Sequence, residues 1–76
     1  MITREQNEAL YEARMALTGV EHDLAQQLLD KREELEKADE TEKERLETSL
    51  SSLERRYLKV VVANYTLGRL QLNSRA

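Results

Sequence analysis

From Leu46 to Leu67 the chain repeats with a period that leaves little freedom. Leu46, Leu50, Leu53, Tyr57, Val60, Asn64 and Leu67 follow one another at alternating steps of four and three. Side chains three or four apart share one face of an α-helix. A strict alternation of the two steps is the heptad seam by which one helix pairs with another. Leu50, Tyr57 and Asn64 hold one position type, and Leu46, Leu53, Val60 and Leu67 hold the other. Such a seam needs a second helix against it, so an all-α fold is expected.

The C-terminal part of this stretch demands more. Tyr57, Leu58, Val60, Val61, Val62, Ala63, Tyr65 and Leu67 sweep roughly two-thirds of the helix circumference at about 100° per residue. Only Lys59 and Thr66 mark a polar edge. One neighbouring helix covers a stripe about 100° wide. A second stripe of Leu58, Val62, Tyr65 and Leu72 lies beside the seam and is left over. The simplest cover for it is another copy of the chain. Val60, Val61 and Val62 also have β propensity, but no second β-rich segment exists to pair with them.

Composition points the same way. A chain of 76 residues is one small domain, of a size that buries only about 60% of its unfolded surface. Small folds gain stability from disulfides, metals or association. With no Cys and one His, the first two routes are closed and association remains. The absence of Pro, two Gly and 36% charged residues suit long helices. No N-terminal segment joins a basic start to an apolar run. The longest apolar run, Val60 to Ala63, is far short of the about 20 residues that cross a bilayer. A cytoplasmic protein without membrane contact is expected.

Reading from the N-terminus, Thr3-Arg4-Glu5-Gln6 has capping-box spacing. Leu10, Ala13, Leu17, Val20 and Leu24 then mark one helical face. Leu28 and Leu35 extend it after a four-residue step, a stutter in the seam. Gly19 interrupts the composition but not the phase, so the first helix is expected to run through it. Between Asp30 and Glu47, 14 of 18 residues are charged. The turn is placed at Ala38 to Thr41, where Asp39 and Thr41 both favour caps, and an unbroken rod is the rival. Glu33–Lys37 and Asp39–Lys43 have favourable i,i+4 order. Ser51-Ser52-Leu53-Glu54 offers a second helix start. Gly68 is the expected C′ residue of the last helix, with Leu70 and Leu72 prolonging it or folding back.

The charge is uneven. Residues 1–40 carry 5 basic and 11 acidic side chains, and residues 41–76 carry 7 and 4. Antiparallel pairing of the two halves would bring opposite signs together.

Residues that bear chemistry are few. Asn64 on the seam can fix register through a polar partner. Arg55, Arg56, Lys59 and Arg69 form a possible basic patch toward phosphates, although solvated rim charges are the plainer account. His22 has no second His and no Glu three residues before it, so a bundle metal site is not expected. No carboxylate is placed in a pocket, and no nucleophile–base pair or phosphate-cradling loop appears. No catalytic residue, metal or cofactor is expected.

These readings converge on one domain, 1–76: an antiparallel two-helix hairpin with helix 1 about 3–38, helix 2 about 41–67 and a tail 68–76. Dimerisation into a four-helix bundle is expected. The seam core would be Leu46, Leu50, Leu53, Tyr57, Val60, Asn64 and Leu67. The interface would be Leu58, Val61, Val62, Tyr65, Leu72, Leu10 and Leu17. The expected function is a non-enzymatic protein–protein interaction module: an adaptor, assembly factor or chaperone-like subunit. One alternative is a nucleic-acid-binding regulator using a basic helix face, by architectural analogy to Rop-like dimers. Another is an obligate hetero-partner co-chaperone of a secretion or phage assembly system.

Overall fold

A computed structural model describes residues 2–74, with side chains through Leu72. It contains α1, Arg4–Lys37, and α2, Glu40–Ser74, packed antiparallel as a hairpin of 55 × 14 × 14 Å. Among the described residues no helix is long and apolar enough to cross a membrane.

Both helix starts are fixed locally. The Gln6 N–H donates to Thr3 Oγ1 at 3.1 Å, and the Thr3 N–H donates to Gln6 Oε1 at 2.9 Å, the reciprocal capping box. At the turn, α1 closes with the Ala38 N–H donating to the Leu35 carbonyl at 3.3 Å. Ala38 itself is extended, at φ −75° and ψ 149°. Asp39 then caps α2. Its carboxylate accepts from the Thr41 hydroxyl at 2.7 Å, the Thr41 N–H at 3.1 Å and the Glu42 N–H at 3.0 Å. The Thr41 hydroxyl, followed by the Glu42 N–H, holds the Asp39 carboxyl below its ordinary value. The connection is thus two residues long, and Thr41 lies inside α2 rather than capping it.

The α2 seam is where the heptad placed it. Leu46 and Leu53 are buried, and Leu50, Tyr57, Val60, Asn64 and Leu67 are half-buried. Leu24, Leu28 and Leu53 form the core, with Leu50, Tyr57 and Val60 against it. The α1 seam differs from the sequence reading. Ala13 and Val20 are exposed, whereas Arg14 and Glu21 are half-buried. The inward positions are Asn7, Leu10, Arg14, Leu17, Glu21, Leu24, Leu28, Lys31 and Leu35, in unbroken alternation of three and four. There is no stutter, because polar residues hold several places on the seam.

Helix continuity also corrects two boundaries. α2 passes through Ser51 and Ser52 without a new start and through Gly68 without a stop, reaching Ser74. No glycine has positive φ among the described residues. The Arg14 guanidinium lies where a side chain at Gly68 would begin, 3.3 Å from the site of its Cβ. Gly68 therefore makes room across the seam instead of ending the helix. The expected tail loses residues 68–74 to α2, and Arg75 and Ala76 lie outside the described residues. α1 runs through Gly19, where an added Cβ would meet nothing within 4 Å. Neither Glu33–Lys37 nor Asp39–Lys43 forms an ion pair among the described residues; those seen are Arg4–Glu8, Lys31–Glu34 and Arg32–Glu54.

Candidate protein-docking face

With the seam fixed, heptad geometry assigns every other residue to a side of the hairpin. One side combines Tyr11, Met15, Thr18, His22, Ala25 and Leu29 of α1 with Leu58, Val61, Tyr65, Gly68 and Leu72 of α2. Val62 stands at its outer edge. Tyr11, Met15, Leu29, Leu58, Val62, Tyr65 and Leu72 are all large, apolar and exposed. The most open are Leu58 at 62%, Tyr65 at 66% and Leu72 at 68%. From Leu58 to Leu72 this surface runs about 21 Å along α2 at 1.5 Å per residue. A shallow groove opens in it between Leu29 and Leu58, floored by Leu28 and Tyr57 and flanked by the Arg32–Glu54 pair at 3.8 Å. Among the described residues, the opposite side exposes only Val20 and Leu70 as large apolar residues.

The proposed interface residues divide. Leu58, Val62, Tyr65 and Leu72 are exposed on this side or its edge, and Val61 is half-buried beside them. Leu10 and Leu17 are half-buried and in step with Leu24 on the seam. They face α2, and Tyr11 and Met15 take their place on the outer surface. Those two were missed because the α1 seam was read one residue off, at Ala13 and Val20.

Beneath the face, the open end of the hairpin is polar. Gln71 is buried, at 8% exposure. The Arg14 Nη1 donates to Gln71 Oε1 at 2.8 Å, and the Gln71 amide reaches the Asn7 carbonyl and side chain at 3.5 Å. Asn64 Nδ2 donates to Thr18 Oγ1 at 3.1 Å, and that hydroxyl donates to the Arg14 carbonyl at 2.8 Å. Arg14 Nε and Asn64 Oδ1 are buried without hydrogen-bond partners, which costs about 1–3 kcal/mol for each such group. Gln71 continues the α2 heptad four residues after Leu67, a signal present in the sequence beyond the stop expected at Gly68.

Other candidate groups do not converge. Arg55 and Arg69 are exposed on the outer edge of α2 with Val62, and Arg56 and Lys59 are exposed on the opposite side. His22 is exposed. Among the described residues no three His, Cys, Asp or Glu side chains gather as a metal site would require. Compared with known proteins, the chain matches no family model, no curated protein and no solved structure.

Proposed function

We propose that this chain is a small non-enzymatic protein–protein interaction module, an adaptor, assembly factor or chaperone-like subunit that works by helix-on-helix burial. Its partner in this reading is a second copy of itself, and the product is a four-helix bundle. One observation carries the reading: large apolar side chains gather on one side of the hairpin. A contiguous apolar surface of this kind marks an interaction site more often than chance exposure, and Tyr65 has the amphipathic character of interface anchors.

Sedimentation velocity at micromolar concentration tests it. The expected result is a dimer that Tyr65→Ala weakens about 10- to 100-fold, as loss of an anchor of about 1.4–2.8 kcal/mol would. A compact monomer that stays monomeric throughout the micromolar range overturns self-association and leaves the face to a different chain.

A further inference from the structure

Building on self-association through this face, we propose how the second copy sits. Its two-fold axis runs parallel to the helices, so that α1 of each copy lies over α2 of the other, with both turns at one end. The alternative axis runs across the hairpin, laying α1 on α1 and α2 on α2 with the turns at opposite ends.

Three observations choose between them. The first is that the apolar surface is not centred along the rod. It runs from Leu29 and Leu58 toward Tyr11 and Leu72, while the turn end is sheathed in charge from Asp30 to Glu47. A parallel axis superposes apolar on apolar over the whole face. A crosswise axis through the middle of the rod would lay Leu72 on the charged turn end of the partner, and one moved to centre the apolar surface would stagger the two rods.

The second is the charge along the outer edges of the face. On α1 the edge positions are Glu5, Glu12, Gly19, Gln26 and Glu33; on α2 they are Thr48, Arg55, Val62 and Arg69. One edge is acidic and the other basic. The hairpin does not use this difference internally, because among the described residues its inter-helix ion pair is Arg32–Glu54, with the signs reversed. With a parallel axis the acidic edge of one copy meets the basic edge of the other. With a crosswise axis like meets like, which is destabilising.

The third is register. Within the hairpin Thr18 is level with Asn64, and Arg14 with Gly68. Following the antiparallel helices, Glu12 comes within one residue of the height of Arg69, and Gly19 within one residue of that of Val62. A parallel axis preserves height, so each Arg69 is brought beside the partner's Glu12 and each Val62 beside the partner's Gly19. Gly19 lowers helix propensity by about 1 kcal/mol relative to Ala and serves no contact inside the hairpin, where nothing approaches it. Beside Val62 of a second copy, its bare backbone admits the closer approach.

The chain has no Cys, so Glu40→Cys places a single spin label at the turn. In the full-length dimer, the label–label distance from pulsed electron resonance is expected below about 35 Å, given helices about 10 Å apart and the label arms. A distance near the 55 Å length of the rod overturns the arrangement while leaving self-association standing. Absence of any dimer in sedimentation removes both. A charge reversal gives an independent readout. Arg69→Glu is expected to weaken the dimer about three- to tenfold, as surface pairs allow, and adding Glu12→Arg to return it to within about twofold. Failure of the second change to rescue the first also overturns the arrangement.

Discussion

The two halves of this hairpin distribute the same kinds of residue in opposite ways. Near the turn the seam is leucine: Leu24, Leu28, Leu46 and Leu53 are buried, and among the described residues Leu29 and Leu58 are the exposed large apolar residues of that half. At the open end the seam includes Asn7, Arg14, Glu21, Asn64 and Gln71. There the large apolar side chains Tyr11, Met15, Val62, Tyr65 and Leu72 lie outside. The first half coheres by burying apolar surface between its own helices. The second aligns its helices with hydrogen bonds of modest net worth and leaves its apolar area facing outward. In the proposed dimer, a chain built this way would separate folding from association along its own length.

The largest expected effect tests the leucine half. Leu28→Ala should cost about 3 kcal/mol, within the range for fully buried leucines, while Leu17→Ala at a half-buried place should cost less than half as much. Urea denaturation followed by circular dichroism measures both, and equal losses would erase the contrast between the halves. The next test sharpens the polar half. Asn64→Leu removes a buried, unpartnered Oδ1 and is expected to raise stability by about 1 kcal/mol, which corresponds to about 4–8 °C in Tm for a domain of this size. A fall in Tm would mean that the Asn64–Thr18 pair is a net stabiliser. The smallest effect belongs to the turn. Because the folded-state pKa of Asp39 lies below the ordinary 3.8, its stabilising contribution is complete above that value. It fades as pH falls through the lowered folded-state pKa. A carboxyl-carbon NMR titration should place its midpoint under 3.8, and Thr41→Val, which deletes the principal donor, should move it upward. A midpoint that ignores the substitution contradicts the cap geometry.

How much was legible in the sequence follows the same division. The α2 seam could be read because nearly every inward place from Leu46 to Leu67 is apolar, and the two-residue turn because Asp39 has the chemistry of a cap. The α1 seam could not be read in the same way. Periodicity is detected through hydrophobicity, and Asn7, Arg14, Glu21 and Lys31 are polar residues in inward places. Ala13 and Val20 sit one residue before Arg14 and Glu21 and supplied a plausible false track. The outer face of α1, with Tyr11 and Met15, was lost with it. Gly68 was misjudged because glycine commonly ends helices, whereas here its missing side chain admits the Arg14 guanidinium from across the seam.

The tightness of the two-residue turn has one more consequence, for the order in which the rod comes together. Loop-closure entropy grows with the length of chain enclosed. Leu28 and Leu53 of the core enclose only the middle of the chain, whereas Asn7 and Gln71 must trap nearly everything between them. The strongest apolar pairs are thus also the cheapest to bring into register. The hairpin should zip from the bend outward and unzip from the far end, where its greasy flank awaits company.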